Sequence, residues 1–280
     1  MKFNFNHLLM TVCGIALLTS SAFAQRGVQK EYASPLDPSA KPTPIYIGPA
    51  FGFNIMGHSM DIPTFVNDKL CPNFKNASGF GILGGLTLEY LFGDVASSSS
   101  ALIFRALFNM YPGSVTVEDK KYPSMGPDAA VVYSNVESTM DITYNAATFE
   151  VMYKINPIPG FGLGIVVGPS FDYIITKNRT HKFSLIEPLN AQFFDDREAW
   201  PAGTTFDATR RTAIIYDGEI EDAYTIRFGL KAGVQYEILL GSKLYVVPSL
   251  AYNFGITSLT SAHTWRVSPI QIALDARFAF

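Results

Sequence analysis

Beyond its first two dozen residues, the 280-residue chain lacks any long apolar run. A membrane-spanning helix needs about 20 consecutive, mostly apolar residues, so the sequence predicts no such helix in the mature protein. Charged residues are also scarce, at 16% of the chain, where about 25% is usual for soluble domains. The formal net charge of −3 is mild and negative, which argues against a nucleic-acid partner.

Cysteine is almost absent as well, with Cys13 and Cys71 as the two copies. Cys13 belongs to an N-terminal segment that has a positive start, a short apolar stretch and the small-x-small site formed by Ala22 and Ala24. These features are typical of a signal peptide, and we predict cleavage after residue 24. Cys71 alone then remains, which excludes an intramolecular disulfide and a structural metal site built from cysteines.

What the chain has instead is aromatic residues (14%), 22 glycines and a strong period-two alternation. Residues 25–44 are polar and rich in proline, and we interpret them as a periplasmic tail. The alternation then runs through eight segments, at about 45–57, 79–92, 101–111, 140–155, 161–176, 223–239, 244–257 and 265–280. These segments are longer than the usual five or six residues of a globular strand and match the length of tilted membrane strands.

The two faces of each segment differ in polarity and in side-chain size. In the sixth segment, Ile226, Phe228 and Leu230 alternate with Arg227 and Lys231. A soluble sandwich would bury the apolar face and expose a charged one, whereas here the second face is mostly small or weakly polar, which suits the crowded interior of a narrow barrel. An apolar surface spread over alternate residues is typical of barrels that cross the outer membrane of bacteria.

The connections between segments alternate in length. Short links occupy about 93–100, 156–160 and 241–243, and long ones about 58–78, 112–139 and 177–222. Short periplasmic turns and long outer loops are the bacterial outer-membrane pattern. The sequence therefore predicts an all-β fold over residues 45–280, an eight-stranded antiparallel transmembrane up-and-down β-barrel with long extracellular loops.

The end of the chain carries a family resemblance. Alternate apolar residues lead to the last position, at Ile272, Leu274, Ala276, Phe278 and Phe280. With the signal peptide and the eight segments, this pattern resembles the outer-membrane β-barrel domains of Bacteroidetes-type bacteria, grouped as PorT-like or as relatives of the outer membrane protein A barrel. The resemblance implies that Ile272, Leu274, Phe278 and Phe280 are read by the barrel-assembly machinery. We expect the protein to be a monomer surrounded by outer-membrane lipids.

The face opposite the apolar one is predicted to line the barrel interior. Its charges are five acids and five bases, namely Glu89, Glu150, Asp172, Glu237, Asp275, Arg105, Lys154, Arg227, Lys231 and Arg277. Buried charges need partners, and an ion-selective pore would favour one sign. Eight strands enclose an interior that side chains can fill, so we expect a plugged barrel, in which Glu89 and Arg105 face each other across the first short turn.

The expected function is that of a structural or interaction protein of the bacterial outer membrane. The alternatives are a narrow channel for small solutes, or an accessory component of a secretion or envelope system with an unknown protein partner. The long segments 112–139 and 177–222 are too aromatic for disorder, and they could cap the barrel or bind a partner outside the cell. Within the first of them, 115–117 and 131–133 are expected to pair as a hairpin.

No cofactor, metal or enzymatic activity is expected. His58, His181 and His263 fall in or near predicted loops and lack chelate spacing, so we expect each of them to be solvated rather than to bind a metal. Ser261 and His263 lie two residues apart, but no carboxylate is placed to orient the histidine as nucleophilic catalysis would require.

Overall fold

The computed structural model describes residues 45–63, 73–92, 99–158, 161–194, 200–240 and 243–279. These residues form thirteen antiparallel strands and one short 3₁₀ turn at Pro127–Ala129, which confirms the predicted all-β, antiparallel class. No helix among the described residues is long and apolar enough to cross a membrane. The strands are β1 (Ile45–Pro63), β2 (Asn73–Leu91), β3 (Ser100–Met110), β4 (Gly113–Met125), β5 (Val131–Ile155), β6 (Leu163–Glu187), β7 (Thr205–Phe206), β8 (Thr212–Glu219), β9 (Ile226–Tyr236), β10 (Ile238–Leu240), β11 (Leu244–Gly255), β12 (Trp265–Val267) and β13 (Ile270–Ala279).

Eight of these strands pair in a ring. The succession is β1, β2, β3, β5, β6, β9, β11 and β13, and β13 pairs again with β1. Each of the eight contains the body of one predicted alternating segment. Small residues allow neighbouring backbones to approach inside the ring: a Cβ atom added at Gly85 would clash with the carbonyl oxygen of Ala106 on the paired strand.

The ring strands present apolar side chains outward and polar ones inward. Along β9, Ile226, Phe228 and Leu230 are exposed, while the intervening Arg227 and Lys231 are buried. The same alternation holds along β1, β2, β5 and β6. The exposed surface is thus apolar and the interior is charged, which is the reverse of a soluble sheet.

Two of the long connections are largely strand. β3 and β4 form one line broken at Pro112, which has no N–H to donate to the ladder, and both pair with the uninterrupted β5. β8 and β9 likewise pair with successive parts of β6. At the end of the ring away from Ile45, these strands continue as an outer sheet in the order β4, β5, β6, β8 and β7.

The expected hairpin in this region exists, but with another register. Residues 115–117 pair with 138–140, and residues 131–133 pair with 123–125. The prediction that 115–117 and 131–133 pair directly with each other is therefore wrong, because the turn between β4 and β5 lies at 126–130 and both strands are longer than their apolar cores suggested.

Two apolar clusters fill the outer part of the molecule. The inner apolar cluster closes over the ring interior and consists of Met56, Met60, Ile62, Phe74, Ala77, Tyr111, Met140, Ile142, Tyr144, Ala146, Ile174, Ile220, Leu259, Trp265 and Val267. The outer apolar cluster lies further along the outer sheet and consists of Val136, Phe183, Leu185, Ala191, Phe193, Trp200, Ala213 and Ile215.

Candidate functional site

The ten charged residues predicted to line the interior all lie in ion pairs there. Nine are buried, and the side chain of the tenth, Glu237, is 23% exposed. Each of the five bases contacts at least one of the five acids. The inward face therefore holds a self-neutralising set of charges, which is what burial away from bulk water demands.

The first group of ion pairs lies toward the end of the ring that holds Ile45 and Ala279. Arg277 contacts Glu89 and Asp275, each at 2.5 Å, and Arg105 contacts Asp275 at 2.8 Å. Lys154 pairs with both Glu89 and Glu237. The expected pair of Glu89 and Arg105 is wrong: the register places Thr87 opposite Arg105, and each of the two charged residues has other partners.

Two further ion pairs extend the network through the interior toward the outer sheet. Lys231 Nζ lies 2.6 Å from a carboxylate oxygen of Glu150. Arg227 donates from Nε to Asp172 at 2.9 Å and from Nη1 to the carbonyl oxygen of Val267 at 2.7 Å. The Arg227 guanidinium also lies 5.5 Å from the ring of Tyr111 and 5.7 Å from that of Tyr144, within cation–π range. Arg227 therefore joins the charged interior to the inner apolar cluster.

Uncharged polar side chains complete this interior. Asn54 donates to Asn109 at 3.0 Å, and Asn109 donates to Thr148 at 2.8 Å. Gln271 donates to Asn54 at 2.9 Å, and Thr148 donates to Asp172 at 2.7 Å. The sequence-based prediction of interior residues includes the charges but not this amide layer, although the alternation along each strand already assigns Asn54, Asn109 and Gln271 to the inward face.

Above the amide layer the interior becomes apolar. Along β1 the inward positions change from Asn54 to Met56, His58 and Met60. Trp265 Nε1 donates to His58 Nδ1 at 3.2 Å, and the ring of Phe74 packs edge-on against that of His181 at 5.1 Å. The described outer ends of β1 and β2 therefore pack against the inner face of β5 and β6.

The expected solvent exposure of the histidines is wrong for two of the three. His58 and His181 are buried on inward positions of β1 and β6, since both strands continue through segments that were predicted as loops. His181 Nε2 lies 2.7 Å from Ser138 Oγ. His263 is exposed in a loop. Within the described ranges, no group of three or more His, Cys, Asp and Glu side chains could hold a metal ion.

The predicted assembly signal lies partly outside the described residues. Ile272, Leu274 and Phe278 are exposed on the outward face of β13. Phe280 lies beyond the described part of the chain, and so do Ala22 and Ala24 of the predicted cleavage site. The roles of these residues in assembly and cleavage remain predictions.

No protein-family model and no curated protein matches this chain. Similar solved structures include Neisserial surface protein A, 13% identical over 85% of this chain and 98% of that one, with a TM-score of 0.34. They also include Ail of Yersinia pestis, 12% identical over 83% and 98%, with a TM-score of 0.31, and the outer membrane protein OprG from Pseudomonas aeruginosa, 11% identical over 85% and 97%, with a TM-score of 0.33.

Proposed function

We propose that the chain is an outer-membrane protein of a Gram-negative bacterium whose eight-stranded ring closes as a transmembrane up-and-down β-barrel. Its outward face supports this proposal, because large apolar side chains such as Phe51, Phe80, Phe149, Phe171 and Leu250 are exposed around the ring. In water such a surface would cause aggregation, whereas in a bilayer it meets the hydrocarbon core. The chain ends then lie in the periplasm, and the outer sheet lies outside the cell.

We further propose a structural and interaction role, rather than catalysis or transport. One observation carries this proposal: the interior is filled by mutually paired charges and amides, beneath an apolar cluster that covers its outer end. A water-filled pore would need a continuous polar path. An ion that passed this interior would have to break buried ion pairs and then cross the inner apolar cluster, and both steps are costly.

Conductance in planar lipid bilayers tests the closed interior. The wild-type protein is expected to insert without steady single-channel currents. A variant with Trp265→Gly and Tyr144→Gly, which removes two of the largest side chains of the inner apolar cluster, is expected to show single-channel currents. Tyr224→Gly, at an exposed site outside this cluster, is the matched control and should remain silent.

A steady wild-type current that disappears when the interior is blocked would favour the alternative, a narrow channel for small solutes. Protease added to intact cells gives the second readout. Cleavage at a protease site engineered into the exposed residues 201–203, which lie between β6 and β7 in the chain, is expected from outside the cell. Cleavage there only after the outer membrane is opened would contradict the proposed orientation.

A further inference from the structure

A second apolar surface lies far from the ring. Val131 is 64% exposed, Tyr133 72%, Ile186 41% and Leu189 82%. Together with exposed Pro123 these residues form a surface that we call the tip patch. Exposure of this extent is ordinary for one apolar residue, but an adjacent group of them is typical of an interaction site.

The strand register places the members of the tip patch on neighbouring segments. Tyr133 on β5 is the Cα partner of Pro123 on β4, and Val131 is the next outward residue along β5. On the other side of β5, Asn135 pairs with Glu187, beside which Ile186 forms part of a bulge. Leu189 follows in the turn after β6. The patch thus spans three adjacent segments at the end of the outer sheet.

A polar surface separates the tip patch from the apolar face of the ring. Between Phe149 and Tyr133, the outward side chains of β5 include Thr143, Asp141 and Glu137. Several of these polar groups bond across strands: Ser114 donates to Asp141 at 2.8 Å, and Lys182 lies 3.3 Å from the same carboxyl group. Phe149 and Tyr133 lie about 50 Å apart along the strand, at about 3.3 Å per residue. The bilayer that would surround the ring therefore does not account for the tip patch.

Folding of the outer sheet does not account for it either. The opposite face of the same strands already packs the outer apolar cluster, in which Phe183 and Phe193 stack at 5.6 Å. The Arg211 guanidinium donates to the carbonyl oxygens of Leu185 at 2.7 Å and of Pro188 and Ala191 at 3.1 Å each. These bonds fix the turn that carries Leu189, so the patch is presented by a preformed surface, which lowers the entropy cost of binding.

The charge around the patch indicates what it binds. Among the residues of 113–145 and 176–225 whose side chains the structure describes, ten are Asp or Glu and five are Lys or Arg, whereas the whole chain has a net charge of only −3. Exposed Asp128 and Glu187 lie beside the patch in sequence. A second copy of the chain would bring this acidic excess against itself, and like charges across an interface are unfavourable.

We infer that the tip patch is the docking surface for a cationic protein segment outside the cell, one whose apolar residues cover Tyr133 and Leu189 while lysine or arginine residues meet the surrounding acids. This inference rests on the proposed function, since it needs the outer sheet to face the exterior. Protein interfaces usually have apolar contacts at their centre and complementary charges at their rim.

Binding of synthetic peptides to the protein in nanodiscs of zwitterionic phosphatidylcholine tests the inference. The probes are a peptide that alternates lysine and leucine, one that alternates glutamate and leucine, and one that alternates lysine and serine. The wild-type protein is expected to bind the first well above the other two. Binding should weaken as NaCl rises from about 50 mM to about 500 mM, because salt screens exposed charges.

The variant Tyr133→Ser/Leu189→Ser is expected to bind the lysine–leucine peptide at least about tenfold more weakly, as loss of central apolar contacts does. Tyr224→Ser, which removes an exposed aromatic residue outside the patch, should bind like the wild type. Equal binding by the patch variant and the wild type would overturn the inference, and so would equal binding of the glutamate–leucine peptide. Dimerisation of the wild type that the patch variant abolishes would overturn the choice of occupant.

The same samples separate this inference from the proposed function. Wild-type protein and both variants are expected to enter nanodiscs and to show the heat-dependent electrophoretic mobility of a folded barrel. Folded, inserted protein that does not distinguish the peptides would overturn the docking inference alone. Wild-type protein that stays folded in water and does not associate with lipid would contradict the proposed function itself.

Discussion

At the scale of single residues, Arg227 and Asp172 are the pair that joins the charged interior to the apolar cluster above it. Both side chains are 2% exposed, and Asp172 also accepts a hydrogen bond from Thr148 at 2.7 Å. Breaking such a pair leaves one charge buried without its partner, which costs far more than replacing the two together. The pair is therefore a sensitive site at which to test how the interior is stabilised.

We predict that Arg227→Met lowers the free energy of unfolding by about 3–5 kcal/mol, because the Asp172 carboxylate loses its cation. Adding Asp172→Asn, which still accepts from Thr148, should recover most of this loss. Urea titration of the protein in lipid vesicles measures the effect, with Arg266→Met at an exposed site as the control. Losses that simply add in the double variant would contradict the pairing.

The alternation of inward and outward positions along each strand predicted which charged residues point inward, but it did not predict which of them form ion pairs. Pairing depends on how far each strand is shifted relative to its neighbour, and the alternation is the same for every shift of two residues. Glu89 shows the consequence: its partners, Arg277 and Lys154, come from β13 and β5, across the interior. The amide layer was missed for the same reason, since Asn54 and Asn109 become neighbours only through the register.

At the scale of elements, β6 contains two physically different halves. In its first half the outward side chains are apolar, as at Phe171 and Tyr173. Its second half extends beyond the apolar face of the ring and places His181 inward. Burial and, to a smaller extent, the positive charge of Arg179 together lower the pKa of His181 from 6.5 to about 4. The neighbouring Phe74 and Ser138 are uncharged and do not offset this.

The pH dependence of the outer sheet follows from this lowered pKa. Between pH 6.5 and about 4 the unfolded segment binds a proton that folded His181 does not, so stability falls as the pH falls through that window. Amide hydrogen exchange in β5 and β6 should therefore speed up at pH 5 relative to pH 7, after correction for intrinsic rates. His181→Gln is expected to lose this dependence, and an unchanged dependence in that variant would assign the effect to other groups.

The last ring strand, β13, carries the prediction for assembly. Ile272, Leu274 and Phe278 face outward, and we propose that they continue to Phe280 as a surface for the barrel-assembly machinery. Deleting Phe280 is expected to slow insertion severalfold while leaving the final fold unchanged. The rate of appearance of the heat-modifiable form in cells measures this, with Phe254→Ala on another outward face as the control. Normal insertion of the truncated chain would count against the signal.

At the scale of the whole molecule, the eight ring strands could be read from the sequence because each alternates over many residues. The outer sheet was harder to predict. Residues 212–219 alternate too, with Ala213 and Ile215 inward, but their outward face is mixed, so the apolar-to-small contrast that marks the ring is lost. The tip patch could not be predicted, because its two groups of members, at 123–133 and 186–189, lie about fifty residues apart in sequence and are brought together only by the pairing of β4, β5 and β6.

The unbroken length of β5 and β6 has a mechanical consequence. Each strand has 25 residues, and their pairing runs from Asn135 and Glu187 at the outer end to Ile155 and Ile165 at the other. A load applied at the outer end along the strands would pull on many of these backbone hydrogen bonds in parallel, in shear, rather than unzip them one by one. The paired β5 and β6 are therefore expected to resist extension and to transmit tension from the outer end of the outer sheet directly to the ring.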